Sequence, residues 1–451
     1  MLGWLFPRCP LDTAGKAWVE RRMLWLAGRF GIDRLRNARV ILPTDEFFPA
    51  DYTPDEDGAA RCLACLCEYM GVDPFAVRLT VLEDVHMPGA AGLYEQRERS
   101  AIYVAESQLD YPDQLVSTLA HELAHELLLK GGHLTANEWD HELVTDLLPV
   151  FLGAGILLAN ATVVSQSVTY GNANYWTIGK QGYLSSITLG YALALFAYVR
   201  GEVKPAWRKH LRWDARCSLQ SGLRFLRRRG DSLFRPDTVE TASETPTVAS
   251  VLRNLDHPSA TVRLDALWDV ADHDLSAPEL VAGIAARMSD RDAEVRRVGV
   301  YTLGRFGAVA AEHRLQFITF LHRGNPPLQA AAAAALGGIG VADPETVRAI
   351  AELLGNTEGE VAIAAAHALA RIGSAATAVI PRLIEVLEWA GGVGDLDRLE
   401  AVAVALRAVT PDALPRIREY FEGRDPEVRR IVLQAFAGKA MKPPKHDDHQ
   451  Q

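Results

Sequence analysis

The sequence predicts an α+β domain followed by an all-α solenoid. Three observations carry this: a change of texture near residue 200, a 33-residue repeat from about residue 248, and polar residues inside an oily helix at 116–132. At 451 residues the chain can bury more than one core, and 49% apolar with 23% charged residues is a globular balance. The net charge of −10 argues against specific nucleic-acid binding by the whole chain. The five cysteines are few and odd in number, unlike a secreted disulfide framework. Cys62, Cys65 and Cys67 share one apolar helical stretch, and although Cys62 and Cys65 have CxxC spacing, small buried thiols are expected there.

Within residues 1–200, the segments 38–43, 77–84 and 101–107 read as strands, with breakers such as Pro43, Pro88, Gly89 and Gly92 near them. Helical patterns fall at about 12–30, 58–70, 112–130, 138–160 and 183–200. The apolar runs 147–164 and 187–199 are short, and the first also holds Asn160 and lacks flanking basic residues. Both are expected to be buried helices, with no membrane span. The opening MLGWLFP is too short for a signal h-region, so a cytoplasmic location is expected. Residues 201–230 form a basic helical connector: ten Lys or Arg stand in 200–229 against Glu202 and Asp214. A solvated face is the expectation there, an anion-binding patch the alternative. Residues 231–247, rich in Thr, Pro and Ser, read as a linker.

From 248 to 440 the chain repeats. Val262, Val295, Leu328 and Val361 are 33 residues apart, as are Leu303, Leu336 and Leu369, and Gly307, Gly340 and Gly373. Each unit reads as two amphipathic helices broken by a glycine, the mark of a helical solenoid. WAGGVGDLD (389–397) interrupts the last full unit, and 424–438 reads as a closing helix. The phrase D-x-x-V-R followed by A-L-x-x-I/F-G resembles HEAT-type repeats of the phycobilisome-lyase variety. That resemblance implies an α-solenoid that binds a protein partner. The tail 441–451 is expected to be disordered.

The helix at 112–130 starts at Tyr111-Pro112-Asp113 and stops at Gly131-Gly132. Its apolar residues cover most of its circumference, so it is buried. Burying His121, Glu122 and His125 without partners costs several kcal/mol, on the order of the transfer penalty for polar groups. His121 and His125 are i, i+4 and share one face, where two imidazoles can hold one Zn²⁺. Glu122 points beside that pair, toward a water rather than the metal, which is the H-E-x-x-H arrangement. A third ligand is needed. Glu142 and Asp146, also i, i+4, would repel each other on a helix. The conflict disappears if Glu142 binds the metal and Asp146 accepts an imidazole N–H. His141 and His133 are the other candidates for the third position.

HELAH followed by ELVTD on successive helices resembles the gluzincin zinc metallopeptidases, the thermolysin-like clan. The resemblance covers about 30 residues in motif, within a zincin-like domain expected over 1–200. It implies His121, His125 and Glu142 as zinc ligands, Glu122 as general base and proton shuttle, and Asp146 as the partner of His121. It also implies a peptide or protein substrate, a substrate-binding edge strand near 101–107, and an oxyanion-stabilising side chain, for which Tyr170, Tyr175 and Tyr183 are candidates. The metzincin extension is absent, since Leu128 and Gly131 stand where Gly and His would be needed. The expected function is a zinc-dependent peptidase whose solenoid recruits a substrate or regulator. The second reading is a catalytically silent scaffold acting through its repeats.

Overall fold

The computed structural model describes residues 7–170, 173–180, 182–235, 245–410 and 412–436, with the backbone alone over 163–180. The chain is mostly helical and divides into two compact units, Met1–Thr245 and Pro246–Gln451.

In the first unit, α1 (Thr13–Phe30) begins where Asp12 accepts the amide of Gly15, and α3 (Glu56–Met70) begins the same way at Asp55 and Gly58. The short α2 (Ile32–Arg36) lies between them. A three-stranded sheet has the order β1 (Val77–Leu82), β3 (Ser100–Ala105), β2 (Gly92–Glu95). β3 pairs parallel with β1, Val77 opposite Ser100, and antiparallel with β2, Gly92 opposite Val104. Then come α4 (Pro112–His125), α5 (His141–Phe151) and α6 (Gly155–Ala161). A hairpin of β4 (Val163–Tyr170) and β5 (Ala173–Lys180) precedes α7 (Ser186–Val199) and α8 (Trp213–Arg229). One core joins these elements, with Met23, Leu66, Ile102, Leu123, Phe151, Phe196 and Leu226 all at its centre. Each such side chain contributes roughly 1.5–3 kcal/mol by leaving water.

Several expectations change here. Residues 38–43 form no strand: Ile41 donates to the carbonyl of Gly153, and among the described residues no segment continues a ladder there. The strand at 101–107 is the central one, so the sheet edge near the site is β2, which its short Gly-Leu-Tyr-Glu sequence did not announce. The helix read at 138–160 is two helices, broken at Gly153 where φ is +93°. The helix read at 112–130 is α-helical to His125 and then makes a π turn over Glu126–Lys130. The basic stretch 201–230 belongs to the first unit: Leu219, Leu223, Phe225 and Leu226 of α8 enter the core. Its cationic run Arg227–Arg229 sits in the last turn of α8, where the helix dipole favours positive charge. Arg200 caps three carbonyls, those of Leu35, Arg36 and Ala38. The thiols on α3 are free, and burial pushes Cys62 up to about 11 and Cys67 to about 12, which keeps them unreactive.

The second unit is a stack of HEAT-like helix pairs. One row contains α10 (Ala260–Asp272), α12 (Ala293–Gly304), α14 (Pro326–Ile339), α16 (Gly359–Ile372), α18 (Leu396–Val409) and α20 (Pro426–Phe436). The other contains α9 (Val248–Leu255), α11 (Glu279–Arg287), α13 (Arg314–Arg323), α15 (Pro344–Glu352), α17 (Ile380–Val393) and α19 (Ala413–Tyr420). Neighbours in the first row pack directly against each other. Small residues make this possible: a Cβ on Gly304 would lie 2.3 Å from Ala335 Cα. The segment 389–397 mostly extends α17 rather than forming a loop. Among the described residues, Gly359–Val393 is the one run long and apolar enough to cross a membrane. It is kinked at Ala376 and forms two layers of this stack. Most of the linker, and the tail 441–451, lie outside the described residues.

Candidate metal centre

Helix α4 is apolar on nearly all sides because it is packed on nearly all sides. Leu115, Leu119, Ala120, Leu123 and Ala124 are fully buried against the sheet, α3, α5 and α6. Into this core α4 carries Glu122 and His125, both buried, and the half-buried His121. Helix α5 lies against α4 and brings Glu142, Thr145 and Asp146 to the same place. Its entry is fixed by the buried Asp140, which accepts from Trp18 Nε1 at 2.8 Å and twice from Arg22 at 2.7 Å.

His121 Nε2 lies 3.2 Å, and His125 Nε2 3.4 Å, from Glu142 Oε2. The three donor atoms sit within 4.8 Å of one another and could hold one metal ion. The outer ring nitrogens are committed elsewhere. His121 Nδ1 donates to Asp146 Oδ1 at 2.8 Å. Thr145 Oγ1 donates to the carbonyl of His141 at 2.8 Å, so its oxygen is left to accept from His125 Nδ1, 3.4 Å away. Glu142 Oε2 is buried and no hydrogen-bond donor points at it, despite the two close nitrogens.

His141 faces the other Glu142 oxygen, Oε1, at 3.2 Å, while its Nδ1 donates to the carbonyl of Glu138. Its place is beside the cluster, as a neighbour of Glu142. His133 packs against Phe30 instead, the ring planes tilted by 60°. Tyr183 stacks on His121, centroids 5.8 Å apart and planes 20° apart. The side chains of Tyr170 and Tyr175 lie outside the described residues.

Two supporting residues escaped the sequence reading. Thr145 resembles any mid-helix threonine. Tyr94 of β2 stacks on His125 at 5.8 Å and donates to Glu126 Oε2 at 2.7 Å. Gly92 lies where the same strand meets Glu122: a Cβ there would stand 2.5 Å from Glu122 Oε1.

The charges are strongly coupled. Burial alone would lower His121, yet its bond to Asp146 and the nearby Glu142 carboxylate outweigh it and hold the ring up at about 10. His125 is lowered, first by burial. Glu142 would be raised by burial, but the two histidines hold it well below the usual carboxylate range. Glu122 is pushed up to about 7, mainly by burial and further by Glu142 and Asp146, against the pull of His121. A carboxyl group poised near neutrality can both accept and return a proton.

Comparisons with known proteins speak to the second unit. The HEAT-repeat family matches residues 314–390, which span α13 to α17. The chain therefore contains HEAT repeats, a module that commonly mediates protein–protein interaction. A crystal structure of an engineered protein is similar over 42% of this chain and 94% of its own, at 18% identity and a TM-score of 0.31. A likeness that low carries no argument. Curated proteins give no match.

Proposed function

We propose that the first unit is a zincin-like, zinc-dependent peptidase, and that the HEAT repeats recruit its protein substrate or a regulator. The observation that carries this is the buried Glu142 Oε2 facing two histidine nitrogens with no donor aimed at it. With the outer nitrogens of His121 and His125 acting as donors, their inner lone pairs and Oε2 converge. Three lone-pair donors converging in a core repel one another unless a cation joins them, whether a proton on His121 or a metal ion in its place. Two imidazole nitrogens and one carboxylate oxygen form the donor set of a catalytic zinc site with an open position.

His121, His125 and Glu142 would hold the ion, and Asp146 and Thr145 would orient the two rings. Bound there, zinc supplies a Lewis acid for the scissile carbonyl and acidifies a water. Glu122 takes the proton of the attacking water and returns it to the leaving amine. Its buried carboxyl, next to His121 on α4, is placed for both transfers. Tyr183, half exposed beside His121, is the one oxyanion candidate whose side chain borders this cluster among the described residues.

Elemental analysis and a peptide-library digestion, each with and without a chelator, test this together. One zinc per chain and chelator-sensitive cleavage are expected. Metal without cleavage, in the presence of the repeats' partner as well as alone, would favour the silent scaffold. No metal at any stoichiometry would overturn the site.

A further inference from the structure

Asp146 has two oxygens and three donors. Oδ1 accepts from His121 Nδ1, while Oδ2 accepts from the backbone amides of Tyr183 at 2.6 Å and Leu184 at 2.8 Å. The turn that supplies these amides starts at Gly182, whose φ is +80° and whose Cβ, if it had one, would meet Asp146 Oδ2 at 3.2 Å. Side chains other than glycine fit that conformation poorly. The ring of Tyr183 then lies over His121. The turn therefore reaches the imidazole by two routes, through its backbone to Asp146 and through its own aromatic face.

We infer that the 182–184 turn is a positioning element of the metal centre, so that its order and the affinity for a divalent cation rise and fall together. This rests on the metal reading above. The physical chain is short. A cation on His121 Nε2 draws the Nδ1 proton toward Asp146, and the carboxylate that shares this proton is held in place by the two amides. Free of the turn, Asp146 could rotate and His121 would lose its fixed tautomer. Coupling of this kind is reciprocal: whatever factor the turn adds to cation affinity, the cation adds to the closing of the turn. Partners that orient a ligand histidine are worth about 10–100-fold in metal affinity, and a backbone turn acting through Asp146 is expected near the lower end.

The test uses the full chain and zinc alone. Amide exchange, followed by mass spectrometry on a peptide covering 182–189, is compared in zinc-free and zinc-loaded protein. Zinc affinity is measured for the wild type, Gly182→Ala and Gly182→Asn, together with the visible spectrum of the cobalt-substituted forms. The expected result is about tenfold slower exchange at the turn on zinc binding. Gly182→Ala should bind zinc about tenfold more weakly with an altered cobalt spectrum, and Gly182→Asn, which tolerates positive φ better, should fall between. A purely structural turn would change thermal stability without moving the cobalt spectrum. Zinc binding with no change in exchange, or a folded Gly182→Ala with wild-type affinity, would overturn this inference and leave the metal site standing. Absence of zinc binding in the wild type would overturn both. If Gly182→Ala fails to fold, the wild-type exchange comparison decides alone.

Discussion

Asp290 in the solenoid and Glu142 in the first unit are both carboxylates with buried oxygen atoms, and their surroundings differ in kind. Asp290 receives a two-pronged grip from Arg263, at 2.7 and 2.8 Å, and a further bond from the amide of Asp292. Arg263 donates two further hydrogens, both from Nη1, to the carbonyls of His257 and Pro258. Glu142 Oε2 has close neighbours and no donor. The charge of Asp290 comes with its complement built in. On the proposed reading, Glu142 Oε2 leaves a position for a cation that is not part of the chain.

The contrast can be broken or sharpened by experiment. The largest effect expected is on turnover: Glu122→Gln should retain zinc and cleave roughly 10²–10⁴-fold more slowly in the peptide-library assay. Wild-type turnover in that variant would remove Glu122 from the chemistry. Next is the thermodynamic signature of an incomplete site. Zinc at a thousand times its Kd should stabilise the first unit by about 4 kcal/mol, read by calorimetry, and Glu142→Ala should abolish the gain. The solenoid transition should not respond to zinc.

Breaking the completed pair is the converse. Arg263→Ala removes the two-pronged grip and leaves Asp290 only the amide of Asp292 and Arg287, 3.7 Å away, so it should lower solenoid stability by about 3 kcal/mol in urea, whatever the metal content. Replacing both partners by apolar residues of similar volume should recover most of that loss. The smallest effect is the pH dependence of the same pair. Burial acts against the Asp290 carboxylate, but Arg263 outweighs it and holds the group below its ordinary value. A depressed carboxyl stabilises the fold above its unfolded pKa, about 3.9, and that contribution fades as pH falls through the folded value. Asp290→Asn should flatten the acid limb of the solenoid's stability curve. An unchanged limb would show that other carboxylates set it.

How much of this was legible follows the range of the forces involved. The solenoid could be read because each repeat packs on its neighbour, so a period of 33 in Val262, Val295, Leu328 and Val361 records the contact itself. His121, Glu122, His125, Glu142 and Asp146 could be read because helical spacing fixes which side chains share a face. Contacts made across the fold left little trace. The strand β2 exists through pairing with β3, and its Gly92 is explained only by the carboxylate behind it. Thr145 and Tyr94 act on His125 from elements whose sequences carry ordinary structural patterns. Residues 38–43 show the reverse, a strand-like pattern without a partner strand.

The π turn at Glu126–Lys130 has a consequence for how such chains are compared and cut. It inserts one extra residue immediately beyond His125, and it is clasped from the sheet side by Tyr94 on Glu126 and by Lys130 on the carbonyl of Glu98. Deleting a single leucine from this segment would restore an ordinary helix and leave the HELAH letters untouched. It would also turn the last residues of this helix by about 100°, breaking the clasp of Lys130 and leaving the loop 131–140 to absorb the change if α5 is to keep the entry fixed by Asp140. Two sequences could thus share every diagnostic letter and differ in how the chain leaves the first helix on its way to the second.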